Sequence, residues 1–431
     1  MKVKSVLIGV IISFGFIVIS ESGYTYPVDG YEKTGIRRLE RLRLILADSL
    51  RGTKLPEGGQ RLLNSIRLNL TDDRGAELDS LPEPDAELQK QIRSLFPGRH
   101  ASYSVAVMDI TPGRPIRFAE RQSHRTLSPG SVGKLCIAAG FFTELAKVFP
   151  EDTLKRIAMM KSRIVSGGKW VSRESHRMPF YNIETNKYQM KKVQADDTFS
   201  LYEWIDHSLS VSSNGAANVV WKEALLMRQF GAAYPPSPEA EAEFFSTTPK
   251  KQLAELAHTV VNEPLRKLGI SEEEWRLGSF FNRYGKVAIP VRGGSIASSS
   301  AFLRFLVAVE RGKMVDKWSS LEFKRLMYMT GRRIRYASSP ALEKAAVYYK
   351  SGSLYGCKEE EGYKCGKYRG NRINVLNSVA IIEQPDSTTY MVAMMSNVLK
   401  KNSSVEHQSL ATFIDRIMRK PVAEEKAKEE E

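Results

Sequence analysis

A chain of 431 residues that is 42% hydrophobic and 26% charged has the composition of a globular protein and the length to bury a sizeable core. Its formal net charge of +15 is unusual, and so basic a surface draws polyanions such as nucleic acid, anionic lipid headgroups or anionic cell-envelope polymers. Zinc-finger spacing, an aromatic-basic RNA signature and basic-region heptads are all missing, which argues against a nucleic-acid module. The six histidines are scattered and none forms His-Glu-x-x-His, so no metal site and no cofactor is expected.

Lys2 and Lys4 precede an apolar run over residues 6–19 that only Ser13 and glycines interrupt. A short positive flank and an apolar stretch of that length read as a secretory signal over residues 1–20. Val18 and Ser20 stand where small residues permit cleavage, an uncleaved N-terminal anchor being the alternative. No cysteine follows the run, which argues against a lipoprotein anchor. The chain is therefore expected in the periplasm or outside the cell, touching a membrane only through such an anchor.

Residues 21–97 read as a basic, helical N-terminal extension. Leu39, Leu42, Leu46 and Leu50 recur at helical spacing among Arg37, Arg38, Arg41 and Arg43. A second helix is predicted near residues 61–70, and Pro82 and Pro84 mark a break. The extension would dock on the main domain, tether it, or lie on a membrane surface.

The main domain is placed at residues 98–419. It opens with an alternating strand at 102–110, a Thr-Pro-Gly-Arg turn and a second strand near 116–119. Helices are predicted at 135–148, 201–209, 216–227, 250–268 and 299–312, strands at 346–351, 375–383 and 389–396, and a closing helix at 405–419. Strands at both ends with helices between argue for an α+β fold whose N- and C-terminal strands share one antiparallel sheet, flanked by a helical subdomain. Residues 161–192, basic and aromatic, and 231–251, rich in Pro and Glu, read as surface excursions, the first lining a substrate groove. Cys357 and Cys365 flank a short polar segment that a local disulfide can close in an oxidising compartment, whereas Cys136 lies in an apolar run as a free buried thiol. The tail, residues 420–431, is a charge run expected to be disordered.

Three short motifs carry the chemistry. In Leu127-Ser-Pro-Gly-Ser131-Val-Gly-Lys134 a turn leads into an apolar helical run, which puts the Ser131 hydroxyl at the positive end of a helix dipole. Lys134 follows one turn later on the same face, within reach of the hydroxyl proton. A rival, Ser166-Gly-Gly-Lys169, sits in a glycine-rich loop without a following apolar helix. The second motif, Ser212-Ser213-Asn214-Gly-Ala-Ala-Asn218, lies between two helices, where such residues commonly cap a helix. Ser212 is also suited to move a proton, and Asn214 to hold a carbonyl or the lysine. The third, Lys350-Ser351-Gly352-Ser353, ends an apolar strand. It offers a cation and a hydroxyl for a carboxylate, a glycine for close approach, and a Ser353 amide that can pair with that of Ser131 as an oxyanion hole.

In this order Ser-x-x-Lys, Ser-x-Asn and Lys-Ser-Gly resemble the signature of the penicillin-recognising serine enzymes, and the wording around Ser212–Asn218 is most similar to the class A β-lactamases. The resemblance spans roughly residues 103–419 and implies a β-lactamase/transpeptidase-like fold. It makes Ser131 the nucleophile, Lys134 a base, Ser212 and Asn214 the mid-cleft pair, and Lys350, Ser351, Gly352 and Ser353 the substrate wall. The implied partners are a small-molecule β-lactam or a peptidoglycan peptide, beside any anionic envelope polymer.

Three departures stand out. The family's deacylating glutamate falls near residues 279–281, where Ser279, Phe280 and Phe281 offer no carboxylate. The arginine expected on the neighbouring strand is missing from residues 376–379, with Arg369 or Arg372 as stand-ins. Ser213 replaces an aspartate, which loses a structural carboxylate. The readings are a slow-deacylating β-lactamase-like hydrolase, a D,D-peptidase of cell-wall metabolism, or a non-catalytic envelope-binding protein that keeps the fold.

Overall fold

The computed structural model describes residues 27–328 and 333–421. The apolar run at 1–20, with its cleavage or anchoring, and all but the first two residues of the 420–431 tail lie outside the described residues. The N-terminal segment contributes helices α1 (Arg37–Leu46) and α2 (Ala86–Arg93). The hairpin strands β1 (Ser104–Asp109) and β2 (Arg117–Arg121) follow. The helical middle holds α3 (Lys134–Val148), α4 (Leu201–Leu209), α5 (Asn214–Phe230), α6 (Lys250–Lys267), α7 (Ser299–Glu310) and α8 (Lys317–Tyr328). Strands β3 (Ala346–Gly356), β4 (Ile373–Glu383) and β5 (Thr389–Asn397) precede the closing helix α9 (Ser404–Met418).

The five strands form one antiparallel sheet in the order β2-β1-β5-β4-β3. The first and last strands of the chain thus meet, Val107 opposite Val392. The central strands are apolar at nearly every position because both faces are covered. Ala106, Val379, Ile381 and Ala393 face the helical middle, while Val105, Val107, Ala380 and Val392 pack beneath α2 and α9 with Ile92, Leu410 and Ile414. The result is the α+β arrangement that the strand–helix–strand pattern implies.

The N-terminal segment is packed into this body. Arg38 on α1 donates two hydrogen bonds of 2.6 Å to Asp206 on α4, both side chains being buried, and Arg37 pairs with Glu203. Leu39 and Leu42 are buried as expected, with Ile45 taking the next place on that face instead of the half-buried Leu46, while Leu50 lies beyond the helix, which ends at Leu46. Residues 61–70 are not the predicted helix. They run irregularly around a single 3-10 turn, Leu63–Ser65, since the domain satisfies their backbone donors. Tyr328 Oη accepts from the Arg61 amide at 3.0 Å, and Glu310 accepts from Asn69 at 2.7 Å. Beneath this strap Lys324 pairs with Glu310 at 2.6 Å and with Glu383 at 2.7 Å, while Arg61 and the Asn69 amide also reach Glu383. Burial opposes each charge, but the attraction among them holds Lys324 up and Glu383 down from their ordinary pKa values.

Both surface excursions are anchored in the core, although 231–251 stays largely exposed, and 161–192 also lines the cleft through Ser175, His176 and Arg177. Within 161–192, Val165, Trp170, Val171 and Met178 are buried, Trp170 packing on Phe280 and Phe245. Within 231–251 a helix, Pro238–Thr247, buries Phe244 against Phe230. Their charged residues hid the anchoring role of the aromatics, whose burial decides the packing.

Candidate active site

Ser131 sits in a 3-10 turn, Gly130–Gly133, that leads directly into α3. The turn is pressed against strand β3. A Cβ on Gly130 would lie 2.6 Å from the Ser353 amide nitrogen, and one on Gly352 would lie 2.3 Å from the Pro129 carbonyl oxygen. Neither space admits a side chain, and Gly130 has φ +50°, so glycine is required at both places. Asn377 on β4 fixes the turn by donating to the carbonyls of Ser128 and Pro129, each at 2.9 Å. These contacts bring the Ser353 amide alongside Ser131 on the edge strand of the sheet.

Lys134 is fully buried. Its Nζ lies 3.2 Å from Ser131 Oγ, 2.5 Å from the Ser212 carbonyl, 2.8 Å from Asn214 Oδ1 and 3.2 Å from Ser212 Oγ. Lys350 donates to the same Ser212 hydroxyl from the opposite side at 2.9 Å. The carbonyl and the amide oxygen take two N–H groups of Lys134, which leaves its remaining valence facing the two hydroxyls. Ser212 holds φ +62°, a left-handed conformation unfavourable for a non-glycine residue and found disproportionately at functional sites. Lys350, Gly352 and Ser353 lie along the strand, with Ser351 paired across to Ser378 of β4. Ser131, Asn214 and Ser353 thus line one cleft, Lys134, Ser212 and Lys350 are bonded beneath it, Gly352 abuts the Ser131 turn, and the Ser351 carbonyl accepts from Lys350 at 3.0 Å. Ser166 and Lys169 lie apart from it, in a small strand and a 3-10 turn.

Sequence reasoning missed the support beneath the second motif. Ser213 caps α5, accepting from the Ala216 amide at 3.0 Å, and donates its own hydroxyl to Glu174 at 2.6 Å. Glu174 also accepts from the Gly215 amide at 2.6 Å, from the Ser175 and His176 amides at 2.7 Å each, and from the His176 ring at 2.9 Å. Burial alone would push this carboxyl up, yet the bonds from His176, Ser213 and Gly215 outweigh it and hold it at about 2. The structural carboxylate thought lost at Ser213 is therefore supplied from residue 174. Its one sequence signal is an isolated acid in the basic run Arg173-Glu174-Ser175-His176-Arg177.

The loop at 279–281 reaches the cleft. Asn218 Oδ1 accepts from the Phe281 amide at 3.0 Å, and the Phe281 ring faces Lys134 Nζ, 4.8 Å from its centroid. An aromatic face therefore stands beside the lysine where a carboxylate was sought. Arg369 and Arg372 do not line the cleft. Arg335 lies behind β3 instead, buried, donating to the Gly352 and Asn377 carbonyls and stacked over Tyr368 at 5.0 Å. No motif surrounds it in the sequence, which explains why it was overlooked. Cys357 and Cys365 form a disulfide, and Cys136 is free and buried. Among the described residues no His, Cys, Asp and Glu cluster suited to a metal occurs.

The fold is β-lactamase-like. Among solved structures the chain is similar to the TLA-3 extended-spectrum β-lactamase, at 14% identity and a TM-score of 0.51, over 78% of this chain and 99% of that one. The TLA-1 extended-spectrum β-lactamase is matched at 13% identity and a TM-score of 0.50, over 77% and 97%. PBP-A is matched at 13% identity and a TM-score of 0.49, over 79% and 100%. No protein-family model matches the chain, and no curated protein matches it in sequence.

Proposed function

We propose that the protein is an exported serine acyl-transfer enzyme of the class A β-lactamase type, which forms an acyl-enzyme with β-lactams or D,D-peptides through Ser131 and releases it slowly. The observation that carries this reading is Lys134 Nζ, 3.2 Å from Ser131 Oγ and oriented by Ser212 and Asn214. As a neutral amine Lys134 takes the Ser131 proton while Oγ attacks the substrate carbonyl. The amides of Ser131 and Ser353 hold the developing oxyanion. The bond from Oγ to the acyl carbon forms, the amide C–N bond breaks, and Ser212 passes a proton to the leaving nitrogen. Lys350, with Ser351 and the Arg335 charge behind the strand, attracts the substrate carboxylate.

Phe281 supports slow release. Hydrolysis needs a water polarised by a base, and this position presents a ring to Lys134. That favours a D,D-peptidase of cell-wall metabolism over efficient β-lactam turnover. Export is supported by the charged-then-apolar stretch at 1–20 and by a disulfide, which persists in oxidising compartments. Among the described residues no helix is long and apolar enough to cross a membrane.

Intact-mass measurement of the protein incubated with a penicillin tests the proposal, with Ser131→Ala as the control. A long-lived adduct of the drug's mass, missing from the alanine variant, is expected. Rapid drug loss without an adduct would place a deacylating base where none was found. Neither adduct nor turnover, with envelope function intact in Ser131→Ala, would favour a non-catalytic binding protein.

A further inference from the structure

The cleft around Ser131, about 780 Å³ in volume, is lined by no aspartate or glutamate. Three cations line it from three separate parts of the chain: Arg177, Lys286 and Lys367. Arg177 precedes the small hairpin at 178–191, Lys286 lies on a short helix, Arg283–Ala288, and Lys367 lies on the connection between β3 and β4. All three are exposed, and no ion pair to a carboxylate is found for any of them among the described residues. The acid nearest Arg177 in sequence, Glu174, is buried and bonds Ser213, His176 and backbone amides, while Glu360, on the connection that carries Lys367, pairs with Lys400 instead.

The third cation is placed deliberately. The connection that carries it is closed by the Cys357–Cys365 disulfide and braced by Asn371, which exchanges hydrogen bonds with the backbone of Lys358 at 2.6 and 2.9 Å. Tyr368, also in the cleft wall, has both Arg335 and Lys367 over its ring, 5.0 and 5.3 Å from the centroid. In the proposed function one substrate carboxylate is met by Lys350 and Ser351 on the strand. The remaining charge exceeds what that group requires.

We infer that the acyl donor is a multiply carboxylated molecule, whose additional acidic groups are held by Arg177, Lys286 and Lys367. This rests on Ser131 being the nucleophile, as proposed above. An uncompensated positive cleft concentrates anionic ligands and disfavours cationic ones, and exposed charges act in a way that salt screens.

The test is the rate of Ser131 acylation, followed by intact mass, with three penicillins that share a phenyl ring and differ at its α-carbon. The α-carboxybenzyl compound adds a negative charge, the benzyl compound adds none, and the α-aminobenzyl compound adds a positive one. Unit charges a few ångströms apart interact by about 1 kcal/mol even in water, so the first compound should react at least roughly tenfold faster than the last at low ionic strength. The ratio should shrink severalfold at 1 M salt and collapse toward one in the triple variant Arg177→Gln, Lys286→Gln, Lys367→Gln, whose folding is checked by its unfolding midpoint. Equal rates for the three compounds, or a preference that survives in the triple variant, would overturn the inference and leave the nucleophile standing. No labelling by any of them would overturn both.

Discussion

Replacing Glu174 with glutamine removes one charge without changing shape, and the structure sets what that should cost. The carboxylate accepts five hydrogen bonds, including two at 2.6 Å from Ser213 Oγ and the Gly215 amide. Holding its carboxyl at about 2 instead of 4.5 corresponds to roughly 3 kcal/mol of stability at neutral pH. The folded-state value is depressed, so this contribution is complete above pH 4.5 and is lost as the pH falls through about 2. A glutamine accepts at only one oxygen and turns an NH2 toward the remaining donors, so Glu174→Gln should destabilise by about 2–4 kcal/mol. The damage falls on the start of α5, which carries Asn214 and follows Ser212. A displacement there loosens the hold on Lys134, and acylation should slow at least about tenfold. Urea unfolding between pH 2 and 7, with acylation followed by intact mass, measures both. An unchanged urea midpoint at pH 7, or an acid-dependent loss identical to that of the parent protein, would refute the assignment of Glu174 as the buried support of the second motif.

Other consequences follow from the same geometry. Phe281→Glu puts a carboxylate beside Lys134, and the penicilloyl adduct should decay at least about tenfold faster in a chase experiment. Lys324→Met leaves Glu310 and Glu383 facing each other with only Arg61 nearby, and should lower unfolding free energy by about 3–5 kcal/mol in urea titrations. Burial holds His207 near 4 and His407 near 3, the latter helped by Arg335. Both values lie below that of the unfolded chain, so stability should fall as the pH drops below about 6.5, by about 1.4 kcal/mol per histidine per pH unit until each folded-state value is reached. The slope should halve in His407→Gln, as read by unfolding midpoints across pH 4–7.

How much of this was legible in the sequence depends on range. The motifs at Ser131, Ser212 and Lys350 are short and local, and so are the alternating strands and capped helices around them. Their union in one cleft was reached by resemblance, because spacing alone cannot bring residue 131 beside residue 353. Residues 61–70 have helical periodicity, but Glu310 and Tyr328 capture their backbone donors, a tertiary effect no local pattern reveals. Glu174 and Arg335 act through partners distant in sequence, Ser213 and Gly352, and no motif marks either. The charged residues of 161–192 suggested solvent, whereas Trp170 and Val171 decide its place.

The bonds from Asn377 to Ser128 and Pro129 join positions 249 and 248 residues apart. The turn that bears Ser131 therefore acquires its shape only after the C-terminal strands have docked on the hairpin made near the beginning. Contacts of such separation form late, since the loop they close is expensive in entropy. On the proposed function, a nascent or partly threaded chain would carry Ser131 and Lys134 in full yet remain chemically silent until β4 and β5 arrive. Labelling of Ser131 is thus a report on the completion of folding as much as on catalysis, and a chain cut before residue 373 should give no signal, however well its helices form.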